Sequence, residues 1–256
     1  MKLNNKNLNL NFFGKINIGD DFIIKKNTED ENFDYLIFLD SRGIYLENKK
    51  KSFGIKLYNY LIKLGKKCLL LNRIKYITVF YTLCNFIKNN PNLKFDNLIT
   101  NVGFVDFTPK KQEIIDDIIL QNEFREKKKN IIIQTSSFRL SNKKVENLSY
   151  TDISQDIDYI RKCLIKNLKY VVLISTPVPL KTNKIDRKRP EEFYKNILLT
   201  NDFLFKLTNF YKSSIHYVEI IKILDRNLTY DNVHYTEIGH NIFYKILKNY
   251  INEVLL

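Results

Sequence analysis

Short apolar runs alternate along this chain with segments whose apolar residues recur at helical spacing. The runs are Tyr35 to Asp40 (YLIFLD), residues 68–72 (CLLLN), 97–105 (NLITNVGFV), 170–175 (YVVLIS) and 215–220 (IHYVEI). Between them, residues 54–65 carry Ile55, Leu57, Tyr58, Leu61 and Ile62 on one helical face, and 76–89, 152–168, 190–212 and 234–253 also read as helices. Apolar runs of this kind are strands buried on both faces. Their alternation with helices predicts a parallel sheet covered on each side. In such sheets the functional crevice lies beyond the carboxyl ends of the strands. Attention therefore falls on Asp40-Ser41, Asn72-Arg73, Gly103 to Asp106, Ser175-Thr176 and the loop after the last strand.

Two segments stand outside this rhythm. Residues 8–24 alternate apolar and polar and predict a short β extension, so the chain divides into an extension at 1–33 and a main domain at 34–256. An insertion at about 107–149 opens with Thr108-Pro109, a helix cap followed by a first-turn proline, and contains a β-like run from Ile131 to Thr135. It is the candidate lid or substrate-facing element.

Composition removes several function classes. A chain of 256 residues with 44% hydrophobic residues can bury a sizeable core and is not disordered. Its net charge of +14 would suit nucleic acid, a membrane surface or an anionic substrate. The lysines are spread along the chain, however, as solvated faces would require, so no specific nucleic-acid partner is expected. A nucleic-acid-binding domain would instead cluster them on one face and show salt-dependent retention. Cys68, Cys84 and Cys163 lie in apolar segments without framework spacing and read as reduced core residues. The first residues hold no continuous apolar stretch and no run is long enough to span a membrane, so a cytoplasmic protein is expected. The seven glycines form neither GxGxxG nor a P-loop, and histidines and cysteines lack metal-ligand spacing. No cofactor and no metal are expected.

The strand ends offer one chemistry. Ser41 follows the first strand, and a serine hydroxyl becomes a useful nucleophile once a base takes its proton. Histidine suits that task because its pKa lies near neutral pH. Of the three histidines, His216 falls within a strand and His240 on the closing helix, while His234 lies where the last loop enters that helix. Asp231 precedes His234 by three residues, a spacing that lets the carboxylate fix the ring and leave its other nitrogen for the serine. The plainer alternative makes Asp231 the helix cap and His234 a first-turn residue.

Leu39-Asp40-Ser41 after strand one, Gly103-Phe104-Val105-Asp106 after strand three, and Asp231-Asn232-Val233-His234 with Gly239 near the end form an ordered set. This set resembles the SGNH (GDSL-like) hydrolases, which carry Gly-Asp-Ser, Gly-x-Asn-Asp and Asp-x-x-His in that order. The resemblance covers roughly residues 35–254 and implies a flavodoxin-like three-layer α/β/α sandwich. It also implies Ser41 as nucleophile, His234 as base and Asp231 as its partner. The chain departs from the family pattern in three places. Leu39 replaces the first glycine, Val105 stands where the family's asparagine donates to the oxyanion, and Asn72-Arg73 occupies the region of a missing second-motif glycine. Losing one oxyanion donor costs about 100- to 1000-fold in rate. Beside the Ser41 amide, Arg42, Asn72, Arg73, Asn101 and Gly103 are the candidates for the oxyanion or substrate. An α/β-hydrolase, whose triad order is also Ser, acid, His, fits less well, because its Gly-x-Ser-x-Gly elbow is incomplete and its acid does not sit three residues from the histidine. The expected function is a serine esterase or acyltransferase acting on a small-molecule or glycan ester such as an O-acetyl group. The competing class is a binding or assembly protein that keeps the fold with weakened chemistry.

Overall fold

The computed structural model describes residues 22–73, 79–108, 110–111, 132–140, 144–152, 157–165, 168–183, 191–209 and 214–256. The main sheet has six strands: β1 (Phe22–Lys26), β2 (Asn32–Leu39), β3 (Cys68–Arg73), β4 (Lys94–Thr100), β8 (Tyr170–Ile174) and β10 (Ile215–Val218). Their spatial order is β1-β3-β2-β4-β8-β10. Every pairing is parallel except that of β1 with β3. Numbered along the chain, the five parallel strands run 2-1-3-4-5, the flavodoxin-like order, so the expected fold class is the observed one.

Alternation along β2 builds both cores. Leu36 and Phe38 face one side, with α2 (Phe80–Asn89), α4 (Ile157–Ile165) and α5 (Glu191–Thr208) packed on it through Leu83, Phe86, Ile160, Phe203 and Leu204. Tyr35, Ile37 and Leu39 face the other, under α1 (Phe53–Lys63) and α6 (Glu237–Val254), whose Phe53, Leu57, Leu61, Phe243 and Leu247 fill that layer. Two buried faces explain why the strand sequences are apolar throughout. The end of α1 is written locally. Gly65 takes φ +75, its N–H donates to Ile62 O, and the Lys66 N–H donates to Leu61 O at 3.1 Å, the bonding of a glycine-terminated helix.

Several boundaries differ from the sequence reading, each for a local reason. β4 stops at Thr100, because Gly103 adopts φ +126 and turns the chain into the four-residue helix α3 (Phe104–Phe107). The closing helix starts at Glu237, not 234: Asn232 has φ +67, and Thr236 is the cap, its Oγ1 accepting from the Gly239 N–H at 3.3 Å. Asp231 is therefore not a helix cap. Asp106 instead accepts from the Phe80 N–H at 3.2 Å, capping α2 from a distant part of the chain.

Residues 1–21 of the expected β extension lie outside the described residues, while β1 joins the main sheet at its edge. In the insertion, β5 (Lys110–Lys111), β6 (Ile132–Leu140) and β7 (Lys144–Asp152) form a separate antiparallel sheet in the order β5-β7-β6. Pro109 and residues 112–131 and 141–143 lie outside the described residues. Short strands β9 (Val178–Pro179) and β11 (Ile223–Leu224) pair beyond the ends of β8 and β10. Among the described residues, no helix is long and apolar enough to cross a membrane.

Candidate active site

Where β2 ends, the chain makes one 3-10 turn, Ser41–Gly43. Asp40 caps that turn: its Oδ1 accepts from the Arg42 N–H at 2.8 Å, and its carbonyl accepts from the Gly43 N–H at 3.0 Å. Gly43 is required by close approach, since a Cβ there would stand 2.7 Å from Asn72 Nδ2 and 2.8 Å from Leu39 Cβ. The turn presents Ser41 at the carboxyl edge of the sheet, next to the switch point between β2 and β4.

The loop between β11 and α6 brings the other two groups. Ser41 Oγ lies 3.1 Å from His234 Nε2, and His234 Nδ1 lies 2.9 Å from Asp231 Oδ2. A carboxylate can only accept, so the ring carries its proton on Nδ1 and leaves Nε2 to accept from the serine hydroxyl. Asp231 is itself held, its second oxygen accepting from the N–H groups of Val233 at 3.0 Å and His234 at 2.7 Å. The His234 carbonyl accepts from Thr229 Oγ1 at 2.8 Å and from the Tyr230 N–H at 3.3 Å. Tyr230 stacks on the His234 ring, with centroids 5.9 Å apart and planes 15° apart.

Burial pushes the Asp231 carboxyl up, but the hydrogen bond and charge of His234 and the two backbone N–H groups outweigh it, leaving a pKa of about 2 against an ordinary 3.8. The folded value lies below the unfolded one. This contribution is therefore complete above the ordinary value and is lost as pH falls through about 2. It amounts to about 2 kcal/mol. Denaturant melts of wild type and Asp231→Asn are expected to converge between about pH 5 and pH 2 by that amount. A stability difference that stays constant over this range would refute the assignment.

The other histidines serve packing. His240 is fully buried against Phe53, Tyr45 and Tyr235; its Nδ1 accepts from the Phe53 N–H at 3.3 Å, and burial brings its pKa down to about 3. His216 Nδ1 pairs with the Tyr250 hydroxyl at 2.7 Å.

The oxyanion candidates separate clearly. Arg42 turns inward and is 1% exposed. Its Nε and Nη2 donate to Asp40, and its Nη1 donates to Thr176 Oγ1 at 2.7 Å. Asn101 exchanges hydrogen bonds with Asp40, accepting from its N–H at 2.8 Å and donating Nδ2 to its carboxylate at 3.0 Å. Asn72 is fully buried beneath the turn, and its amide has no partner among the described residues. Arg73 closes β3 opposite Phe22, and its side chain lies outside the described part. Gly103 is buried in the turn before α3. Val105 is 6% exposed and belongs to the core with Phe104 and Phe107. The Ser41 N–H has no acceptor among the described residues. A small recess lies beside the turn between Arg42, Phe104, Thr176, Val233 and Tyr235. Among the described residues, no cluster of three or more His, Cys, Asp or Glu could hold a metal ion.

Sequence reasoning missed Asp40 as a hub, Thr176 as a partner of Arg42, and Tyr230 as the ring on His234. Thr176 stood at a strand end already singled out; nothing in the sequence paired it with an arginine 134 positions away.

No protein-family model matches the chain, and no curated protein matches it. Solved structures do. A gut microbial diltiazem-metabolizing enzyme matches with TM-score 0.50 and 9% identity over 88% of this chain and 48% of its own. An acetyl xylan esterase matches with TM-score 0.48 and 15% identity over 85% of this chain and 98% of its own. A protein described as a GDSL-like lipase from Bacteroides ovatus matches with TM-score 0.45 and 12% identity over 87% of this chain and 53% of its own. The likeness to the diltiazem-metabolizing enzyme is one of fold, and it agrees with the flavodoxin-like strand order of the main sheet.

Proposed function

We propose that this protein is a serine esterase or acyltransferase in which Ser41 is the nucleophile, His234 the general base and Asp231 its orienting partner. The observation that carries this reading is the unbroken relay from Ser41 Oγ through His234 to Asp231, at 3.1 and 2.9 Å. Ser41 Oγ attacks the ester carbonyl while Nε2 takes its proton. The tetrahedral intermediate collapses, and the alcohol leaves with that proton, giving an acyl-serine. Water or an acceptor hydroxyl then attacks the acyl-serine while Nε2 takes its proton. The acyl–Oγ bond breaks, His234 passes that proton to Ser41 Oγ, and the carboxylic acid or the new ester is released. The Ser41 N–H is the backbone donor for the oxyanion. The chemistry needs no metal or cofactor. The suggested substrate is an O-acyl ester on a glycan or small molecule.

A second reading, a binding protein on the same fold, draws on Val105, whose side chain has no donor to offer and lies in the core. Labelling with a fluorophosphonate probe separates the two. Wild type is expected to label, and Ser41→Ala and His234→Ala are expected to lose the label. A folded wild type that does not label would leave the binding reading.

A further inference from the structure

We propose that Arg42, paired with Asp40, is the positioning residue that holds the nucleophile's turn and aims the Ser41 hydroxyl and N–H. This rests on the serine-nucleophile reading above.

The turn itself is slight. Three residues with two backbone hydrogen bonds, Gly43 N–H to Asp40 O and Ile44 N–H to Ser41 O, do not define a direction to within an ångström. The definition comes from beneath. Nε of Arg42 donates to both oxygens of Asp40, at 3.1 and 3.0 Å; Nη2 donates to Asp40 Oδ2 at 2.8 Å and to the Asn101 carbonyl; Nη1 donates to Thr176 Oγ1 at 2.7 Å. Asp40 follows β2, Asn101 follows β4 and Thr176 lies just beyond β8. One planar guanidinium therefore ties together three neighbouring strand ends, at the residue next to the nucleophile. The Phe104 ring covers it, 4.6 Å from the guanidinium carbon.

The side chain gains little by being there for stability alone, because a fully buried ion pair seldom outperforms apolar packing of the same volume. What the arrangement supplies is geometry: five donors in a fixed fork, which a lysine cannot reproduce. Such geometry matters here because Val105 offers no side-chain donor, so the Ser41 N–H carries more of the oxyanion than it would beside an asparagine. An N–H on a turn that drifts by about an ångström loses on the order of 100-fold in rate.

Two variants test this without emptying the site. Arg42→Lys keeps a cation opposite Asp40 but cannot span Thr176 and Asn101, and kcat on p-nitrophenyl acetate is expected to fall about 100-fold with KM little changed. Thr176→Val preserves the ion pair and removes one tether, and is expected to lower kcat about 5-fold. Independently of turnover, the 15N shift of His234 Nε2 reports its hydrogen bond to Ser41, with Ser41→Ala defining the value when that bond is absent. Both variants are expected to move the shift toward the Ser41→Ala value. Folded variants whose shift stays at the wild-type value overturn the proposal. If the shifts move as expected but no protein labels or hydrolyses the ester, the positioning role stands and the hydrolase reading falls.

Discussion

Replacing Asp231 with asparagine is expected to lower kcat about ten-thousand-fold, with KM for a small ester little changed. The reason lies in the two oxygens of Asp231. Oδ1 accepts from the N–H groups of Val233 and His234, at 3.0 and 2.7 Å, so in an asparagine the amide oxygen takes that place. The NH2 group then occupies the position of Oδ2, 2.9 Å from His234 Nδ1. Two donors cannot face each other. The imidazole responds by accepting at Nδ1 and carrying its proton on Nε2, where it can no longer take one from Ser41. Backbone geometry is retained because both loop hydrogen bonds remain, which separates this variant from simple unfolding. Steady-state kinetics with p-nitrophenyl acetate, together with a near-UV circular dichroism spectrum matching wild type, provides the check. Wild-type kcat in Asp231→Asn would remove Asp231 from the mechanism.

Much of the fold can be read from the sequence because its strands are buried on both faces. Burial on both sides leaves no polar face to confuse the pattern, and Leu36, Ile37, Phe38 and Leu39 read as a strand on inspection. Ends are harder. Val102, Phe104 and Val105 continue the apolar run past Thr100, and only the φ of Gly103 shows that the chain has already turned. Residues 234–236 look helical from their neighbours, yet Asn232 and Thr236 delay the helix so that His234 lies in a loop with its ring free to meet Ser41. The order and spacing of Ser41, Asp231 and His234 could be read because two of them are local to one another and the third ends a strand. Arg42 could not be read in the same way. An arginine after a strand suggests a solvent-facing or substrate-facing cation, and its inward course depends on Asn101 and Thr176, partners 59 and 134 positions along the chain.

That same network sets the largest expected loss of stability. Arg42→Met is expected to cost about 3 to 5 kcal/mol. Both members of the pair are almost wholly buried, Asp40 at 0% and Arg42 at 1% exposure. Burial alone would lower the Arg42 pKa; the charge and hydrogen bonds of Asp40, together with Tyr235, more than reverse this, so the arginine stays charged. Methionine fills much of the volume but leaves Asp40 as a buried carboxylate whose remaining donors among the described residues are the backbone N–H at position 42 and Asn101 Nδ2. Lost apolar packing is small by comparison, so the penalty is that of an uncompensated charge. For a chain of this size the melting temperature should fall by about 10 °C. Asp40→Asn in the Arg42→Met background removes the charge and keeps a side chain that can still accept from the turn. The double variant should therefore recover more than half of the loss in thermal and urea melts, although each single change is destabilising. Additive losses would show that the two side chains do not act as a pair. Recovery of stability in the double variant without recovery of kcat would separate the two contributions of this buried pair: charge balance, which a neutral pair can replace, and the direction of the Ser41 turn, which it cannot.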